Sequence, residues 1–336
     1  MKIKNITVVT AKIILIVFLA VTLNRVFMPK YINENRDGRI TQEYYPFARY
    51  ADVVFAGSST VFAAVDPDEL WKQYGISSFV RANASQTMCI SHYMIEDAIK
   101  TRKPELVCLD MTFIKYGDDF IEEPSTRKSL DGMRLSPSKI KCIEASMGED
   151  ENMADYLVPL FRFHNRWKEL TWDDIRYAWY CKSVTANGYL RESGIVPAKE
   201  TELVYTREAA PIASGNMAYL ENTIKMCQDS GVQILLFKTP SLSSNWSDDL
   251  DMQISNVADA YNVKYINFDR SNDDIGLDYS VDTSDGGSHL NADGAVKFSD
   301  FLGKILKEGY GVSDRRNDEK YVRKWEKLIS LHETEH

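Results

Sequence analysis

The chain has 336 residues, of which 44% are hydrophobic and 26% are charged. This length and composition suit one large core domain with an accessory segment, and they exclude collagen, a coiled coil, a repeat array and wholesale disorder. The net charge of −9 predicts no basic face for a phosphate backbone and therefore no nucleic-acid partner. The five cysteines form no CxxC or CxxxxC pair, which argues against a zinc cage or a dense disulfide framework.

The N-terminal segment is more apolar than the rest of the chain. A largely apolar run extends from Ile6 to Phe27, about the length that crosses the hydrocarbon core of a bilayer as a helix. Lys2 and Lys4 precede the run, which predicts a cytoplasmic N-terminus and an extracytoplasmic main domain. We therefore predict a single-pass membrane anchor within residues 1–30. A cleaved signal peptide is the alternative, although no small-x-small cleavage site follows the run.

The main part of the chain alternates short apolar runs with helical patterns. A polar, tyrosine-rich connector is predicted over residues 31–51. The alternation that follows is typical of βαβ units around a parallel sheet, so the predicted fold class is α/β. The five predicted strands are Asp52–Gly57, Ser77–Ala84, Leu106–Asp110, Val232–Lys238 and Lys264–Phe268.

Helical patterns occupy most of the remaining chain. Predicted helices begin at Pro67 and cover residues 91–101, 208–230, 247–261 and 293–308. The alternation stops between residues 113 and 207, which predicts a mainly helical insertion over one end of the sheet. An amphipathic tail over residues 311–336 is expected either to dock on the domain or to lie on the membrane surface.

A serine follows the first predicted strand, at the sheet edge where α/β proteins place their chemistry. The turn Gly57-Ser58-Ser59 leaves Ser59 close to the start of a helix, whose free backbone N–H groups can hold an oxyanion. Such turns are common, and a helix-capping serine is the alternative. The lipase-type G-x-S-x-G elbow is absent, because Val61 stands two residues after Ser59.

One of the five histidines is predicted to lie at the same edge. His289 belongs to a glycine-rich loop, residues 282–294, between the last predicted strand and the last helix. An acidic residue a few positions before a histidine can accept its Nδ1 proton while Nε2 faces a nucleophile. Asp285 and Asp282 are the two candidates for this role. A calcium loop is the alternative, but it fits poorly because a glycine occupies a ligand position.

These two motifs together resemble the first and last blocks of the SGNH (GDSL-like) hydrolases. The resemblance spans about residues 50–112 and 208–308, and its specificity lies in the combination and order of Gly57-Ser58-Ser59 and His289-Leu-Asn. In particular, the sequence is similar to membrane-anchored SGNH proteins encoded with polysaccharide-modifying systems, related to the accessory protein of teichoic-acid D-alanylation and to alginate acetylation proteins. The resemblance implies a three-layer α/β/α, flavodoxin-like domain over residues 52–310.

The resemblance also implies roles for individual residues: Ser59 as nucleophile, His289 as base and Asp285 as its orienter. Ser58 replaces the aspartate of the GDS motif, a change also met in the membrane-anchored branch. Asp285 lies four residues before His289 where the family usually has three, so Asp282 remains a candidate. The family's oxyanion-hole glycine and asparagine have no clear match, and the candidate oxyanion or substrate-binding residues near the strand ends are Ser58, Asn83, Ser85 and Gln86.

Four further residues have two interpretations each. His164 and Arg166 in the insertion either bind an anionic or sugar substrate or form a polar patch on an amphipathic helix. Lys238, at the end of the fourth strand, either meets substrate charge or precedes a simple strand stop at Pro240. His92 lies on a helix face, and we interpret it as structural rather than functional.

The sequence therefore predicts a membrane-anchored, extracytoplasmic serine O-acyltransferase or esterase that acts on acyl esters of cell-surface polysaccharide through an acyl-Ser59 intermediate. This chemistry needs no metal ion or diffusible cofactor. The expected partners are a polysaccharide or polyol polymer, the membrane and a multi-pass membrane O-acyltransferase. The alternative is a non-catalytic scaffold or binding protein that partners such an acyltransferase.

Overall fold

The computed structural model describes residues 2–180, 182–199, 211–242 and 246–334. The first element is a helix, α1 (Lys2–Phe27), with no acidic residue in its first turn. Its part Val8–Phe27 has a mean hydropathy of 1.9, and its most apolar window is not buried inside the protein. This helix is therefore not a core helix. It is long and apolar enough to span a membrane or to serve as a signal sequence.

A five-stranded sheet forms the centre of the domain, and all its strands are parallel. The strand order is β2-β1-β3-β4-β5, the flavodoxin-like order. The predicted α/β class and all five predicted strands are confirmed, with ends that shift by one or two residues in four of the strands. The strands are β1 (Val53–Gly57), β2 (Ser78–Ala82), β3 (Leu106–Asp110), β4 (Gln233–Lys238) and β5 (Lys264–Asn267).

Helices connect and cover the strands. In chain order after α1 they are α2 (Ile40–Phe47), α3 (Ser59–Ala64), α4 (Pro67–Tyr74), α5 (Met88–Thr101), α6 (Glu123–Asp131), α7 (Pro137–Ser146), α8 (Met153–Leu157), α9 (Pro159–Phe163), α10 (Trp172–Arg176), α11 (Ser214–Asp229), α12 (Asp248–Ala260), α13 (Asn272–Ile275), α14 (Ala292–Tyr310) and α15 (Glu319–Thr334). Of the helix predicted over 208–230, residues 208–210 lie outside the described residues. Helices α3, α4 and α14 pack on one sheet face, and α5, α11 and α12 pack on the other.

The core follows from the alternation of side chains along each strand. Val53 and Phe55 of β1 point to the face covered by α14, where they meet Leu302. Val107 and Leu109 of β3 point to the opposite face. All five side chains are fully buried. Because both faces are covered, the central strand β1 is apolar along its whole length, as expected for a parallel sheet.

Residues predicted as a connector fold instead into the domain. The segment 36–50 forms α2 with a short 3-10 turn on either side. Ile40 and Tyr44 are fully buried, and the Tyr44 ring packs edge-on against Phe79 of β2 at 5.3 Å. Most of the segment between α1 and the first strand is therefore folded rather than extended.

The C-terminal helix α15 docks on the domain, one of the two positions predicted for the tail. Trp325 is fully buried, stacks on Trp71 of α4 at a ring distance of 5.1 Å, and donates its indole N–H to Ser77 at 2.8 Å. Tyr321 donates to the carboxylate of Asp52, just before β1, at 3.0 Å. The last turns of the chain thus close the end of the sheet at which the strands begin.

The insertion, predicted over residues 113–207, is described except for residues 181 and 200–207. Its helices α6 and α7 pack near α5 and α2. Its later part runs along the edge of β2, where the amide of Val80 donates to the carbonyl of Asn187 at 2.9 Å. Gly188 has a φ of +89°, and a Cβ there would lie 1.9 Å from the Val80 carbonyl oxygen, so only glycine fits. The insertion therefore shields an edge strand as well as reaching one end of the sheet.

Four cysteines of the described residues are free and buried: Cys89, Cys108, Cys142 and Cys227. Burial raises the pKa of the Cys89 thiol to about 11 and that of Cys227 to about 12. Burial also raises the pKa of Cys108 and Cys142. All four thiols are therefore protonated at neutral pH.

Candidate active site

The carboxyl ends of the strands form one edge of the sheet. Gly57 of β1 pairs with Ala82 of β2, and Ala56 pairs with Leu109 of β3, so the turns after these three strands lie side by side. Ser59 is the first residue of α3, immediately after the turn that follows β1. The strand order reverses direction between β1 and β3, which is where open α/β sheets bind ligands.

Ser59, His289 and Asp285 form a hydrogen-bonded chain at this edge. The Ser59 Oγ lies 2.8 Å from Nε2 of His289, and the Nδ1 of His289 lies 2.5 Å from Oδ2 of Asp285. The three side chains come from two places in the sequence, the turn after β1 and the loop before α14. This is the geometry in which a histidine can take a proton from a serine while a carboxylate fixes its tautomer.

The Asp285 carboxylate is held in place by its own loop. Its second oxygen, Oδ1, accepts the backbone N–H of Ser288 at 3.1 Å and that of His289 at 2.8 Å. The side chains of His289 and Asp285 are 29% and 41% exposed. The site is therefore preorganised but open to solvent.

Asp282, the other candidate orienter, has different contacts. Its side chain is 2% exposed and pairs with Lys297 of α14 at 2.6 Å. The same carboxylate oxygen accepts the backbone N–H of Asp278 at 2.7 Å. Asp282 thus links the loop to α14, whereas Asp285 is the carboxylate beside the histidine.

A short stretch of the insertion, residues 192–198, holds the loop that carries His289. The amide of Val196 donates to the Thr283 carbonyl of the loop at 3.0 Å, and the amide of Ala198 donates to the Tyr279 carbonyl just before the loop at 3.0 Å. In return, the amide of Gly286 donates to the Val196 carbonyl at 2.9 Å. We call residues 192–198 the strap. Sequence reasoning missed it, because its hydrogen bonds are made by the backbone and leave no side-chain pattern.

A buried carboxylate behind the serine turn was also missed. Asp110, at the end of β3, accepts the amide and hydroxyl of Thr239 at 3.0 and 2.9 Å. It also accepts the amide and hydroxyl of Thr112 at 3.2 and 2.9 Å. Burial raises the pKa of the Asp110 carboxyl, while the Thr239 amide and the Lys238 charge oppose that rise. An acidic residue at the end of a central strand was the available signal for this network.

The candidate oxyanion residues lie along the same edge but differ in their surroundings. Ser58 is fully buried, with its hydroxyl 3.2 Å from that of Thr60. Asn83 donates to the side chain of Gln86 at 3.1 Å, and Gln86 donates to the Arg81 carbonyl at 3.2 Å, so both amides belong to a buried network. Ser85 has a φ of +50°, a conformation uncommon outside glycine. Their roles stay predictions.

The residues with two interpretations are placed as follows. Arg166 donates to the backbone carbonyl of Phe27 at the end of α1 and pairs with Asp174 at 2.9 Å. His164 is exposed and lies two residues earlier in the same 3-10 turn. Lys238 is buried and pairs with Asp269 at 3.0 Å, so its charge is already neutralised inside the protein.

His92 packs between tyrosine rings, and its Nδ1 lies 2.9 Å from the hydroxyl of Thr223 on α11. Burial lowers the pKa of His92, which favours a neutral ring. Within the described residues, no group of three or more His, Cys, Asp or Glu side chains has the arrangement of a metal site.

Comparisons with known proteins give few matches. No family model matches the chain, and no curated protein matches it in sequence. Among solved structures, the chain is similar to a protein from Bacteroides fragilis that is provisionally described as an acylhydrolase. The two are 9% identical with a TM-score of 0.40, and the match covers 84% of this chain and all of that one. Membership of the SGNH family stays a prediction.

Proposed function

We propose that the protein is a serine esterase or O-acyltransferase of the SGNH type, with Ser59, His289 and Asp285 as its catalytic triad. The observation that carries this proposal is the chain of two hydrogen bonds, 2.8 and 2.5 Å long, that links these three side chains at the carboxyl edge of the sheet. The sequence separation of 230 residues between Ser59 and His289 makes a purely local explanation, such as helix capping, insufficient.

In the first half of the proposed reaction, the Ser59 oxygen attacks the carbonyl carbon of an acyl ester. His289 Nε2 takes the serine proton as the new C–O bond forms, and Asp285 stabilises the resulting imidazolium through Nδ1. The first turn of α3 has backbone N–H groups without helical acceptors, which suit the developing oxyanion. His289 then protonates the departing alkoxide, which leaves an acyl-Ser59 ester and a free alcohol.

In the second half, an incoming hydroxyl group resolves the acyl-enzyme. His289 removes the proton of the incoming hydroxyl group as the hydroxyl oxygen attacks the acyl carbon. When the acyl–serine bond breaks, His289 returns that proton to the Ser59 oxygen. Water as the nucleophile gives a carboxylic acid and makes the protein an esterase. A sugar or polyol hydroxyl gives a new ester and makes it a transferase.

We propose cell-surface polysaccharide as the acyl donor or acceptor, and α1 as a membrane anchor that keeps the domain outside the cell. The open triad supports a bulky substrate, because His289 and Asp285 retain 29% and 41% exposure. Helix α1 supports the anchor, since its apolar surface is not used in the core. A multi-pass acyltransferase is the partner that would benefit from an acyl-handling site held at the bilayer.

The direct test is hydrolysis of p-nitrophenyl acetate by the full chain in mild detergent. Ser59→Ala and His289→Ala should each lower the rate by a factor of about a thousand or more, because nucleophile and base act as a unit. Ser255→Ala, at a partly exposed serine of α12, is the matched control and should keep its rate. Unchanged turnover in Ser59→Ala would refute the triad, and absence of turnover in the wild type would favour the non-catalytic scaffold.

Adding a polyol or a methyl glycoside to the same assay separates the two activities. A transferase should release p-nitrophenol while forming an acylated acceptor in place of acetate. An esterase should form acetate at an unchanged yield. In cells, loss of a transferase should lower the acyl content of the surface polymer, whereas loss of an esterase should raise it.

A further inference from the structure

Part of the insertion contacts the end of α1 that leads into the domain. We define residues 157–180 as the aromatic collar. The backbone N–H of Leu160 donates to the Asn24 side chain at 3.0 Å, and Arg166 donates to the Phe27 carbonyl. Arg166 thereby satisfies one of the carbonyls that the last turn of a helix leaves unpaired. The collar and α1 are therefore joined by specific polar contacts.

A second contact lies further along α1. Trp179 stacks on the ring of Phe18 with a centroid distance of 5.6 Å, and the guanidinium of Arg25 lies over the same indole at 4.3 Å. Phe18 precedes Phe27 by nine residues, which is about 13 Å along the axis at 1.5 Å per residue. The collar thus extends beside the half of the apolar span that is nearer to the domain.

The collar exposes an unusual amount of aromatic surface. Trp172 is 76% exposed, Tyr180 74% and Trp167 63%, and Trp179 and Phe161 are also more than half exposed. The other three tryptophans of the chain are buried in the domain, at 7% exposure or less. Five aromatic side chains with this much exposure within residues 161–180 are typical of an interaction surface.

The chemistry of the patch fits a membrane interface. Tryptophan and tyrosine concentrate where hydrocarbon meets headgroups, because their rings are apolar and their N–H or O–H is polar. The collar carries four arginine and lysine residues against three acidic ones, although the whole chain has a net charge of −9. The Lys168 ammonium lies 5.2 Å from the Trp167 ring, so cation and aromatic ring are presented together. Such cations attract anionic lipid headgroups.

We infer that the aromatic collar is immersed in the lipid headgroup and upper acyl region of the leaflet on the Phe27 side, so that the domain binds the bilayer through a second site beside α1. This inference rests on the proposal that α1 spans the membrane. In that case lipid is the material that surrounds α1 between Phe18 and Phe27, and the collar occupies the same depth. The collar then fixes the tilt and height of the domain, which a single helix with a flexible tether would leave free.

The test is quenching of tryptophan fluorescence by lipids brominated on their acyl chains, with the full chain in nanodiscs. Bromine quenches only at short range, so the wild-type protein should lose a substantial share of its emission. The double variant Trp167→Phe, Trp172→Phe should lose the part of the quenchable emission that these two residues contribute, leaving the contribution of Trp179. Trp71→Phe, which removes a buried tryptophan of the domain, should leave the quenchable emission unchanged.

Two results would overturn the inference. One is equal quenchable emission in the wild type and the double variant, which would place Trp167 and Trp172 away from lipid and leave a protein partner to cover them. The other is release of the full chain from membranes by alkaline carbonate, which would remove the bilayer from beside α1. Because no ester substrate is used, these results are independent of catalysis. The tryptophan fluorescence of Ser59→Ala should be quenched to the same extent as that of the wild type, whether or not the proposed triad is correct.

Discussion

The hydroxyl of Thr60 lies 3.4 Å from the carboxylate of Asp110, which connects the residue after Ser59 to the end of the neighbouring strand β3. The same carboxylate holds Thr239 after β4. One buried group thus ties together the turns that follow three adjacent strands, β1, β3 and β4. The position of Ser59 depends on this tie as well as on its own hydrogen bond to His289.

Replacing this carboxylate should affect both stability and turnover. In Asp110→Asn an amide NH2 would face hydroxyl and N–H donors, leaving at least one buried donor unsatisfied at a cost of about 1–3 kcal/mol. We expect a lower free energy of unfolding in urea and a reduced kcat for ester hydrolysis. Asp229→Asn, at an exposed site near the end of α11, is the control. Asp110→Asn with normal stability and normal kcat would contradict the role given to this network.

Replacing each of the two aspartates of the His289 loop should have a different effect, one on the catalytic rate and the other on stability. Asp285→Asn should lower the rate by about a hundredfold or more, because an amide can favour the wrong imidazole tautomer. Its stability should change little, since its side chain is 41% exposed. Asp282→Asn should change the rate much less but lower the free energy of unfolding by about 1–3 kcal/mol, because it removes the buried carboxylate that pairs with Lys297. Rates and urea midpoints of the two variants test this, and a reversed ranking of rates would identify Asp282 as the orienter.

The docked tail should be a major source of stability. Trp325→Ala removes a fully buried indole that stacks on Trp71 and donates to Ser77, and it should cost about 3–5 kcal/mol. Glu326→Ala, at the exposed neighbouring position, should stay within about 0.5 kcal/mol of the wild type. Thermal unfolding of the full chain measures both, and equal midpoints would show that α15 contributes little.

A buried helix cap should make stability depend on pH. Asp66 accepts the amides of Asp68 and Glu69 at the start of α4, and burial followed by the charge of Asp68 raises its pKa to about 6. Its folded-state pKa exceeds the ordinary value of 3.8, so the folded state binds the proton more tightly. The stability contribution of this group is therefore greatest below pH 4 and is lost as the pH rises through 6.

Asp66→Asn should remove this dependence while keeping a good capping side chain. Relative to the wild type, the variant should gain unfolding free energy between pH 4 and 7, up to an amount on the order of 3 kcal/mol at 1.36 kcal/mol per pKa unit. Below pH 4 the two proteins should differ little. Urea unfolding at a series of pH values measures the difference, and a difference that stays constant across the series would contradict the assignment.

Local sequence patterns are sufficient to predict the strands of the sheet and the proximity of Ser59 and His289. The run Leu106–Asp110 closely follows a Lys-Pro pair, and its predicted bounds are those of β3. Ser59 and His289 were expected at one edge because each follows a strand in a parallel sheet. That expectation needs only the order of the elements, which apolar periodicity reveals.

Features that depend on distant partners could not be read from local patterns. Arg81 is a fully buried residue of β2 that pairs with Asp97 of α5 at 3.0 Å and packs against the Tyr44 ring at 4.2 Å. Neither neighbour is adjacent in sequence, and the tyrosine-rich segment that contains Tyr44 has too many polar residues to look like a core element. The same reason hid the strap, whose backbone hydrogen bonds carry no residue signature.

The four buried thiols allow local unfolding of the protein to be measured. A protonated thiol shielded from solvent does not react with alkylating reagents until the structure around it breaks. Cys108 lies on the central strand β3, whereas Cys142 lies on α7 in the insertion. In a chain carrying Cys181→Ser, the labelling rates of these two thiols would report separately how often the sheet and the insertion unfold. These two cysteines therefore allow the local stability of the sheet and that of the insertion to be compared in one experiment.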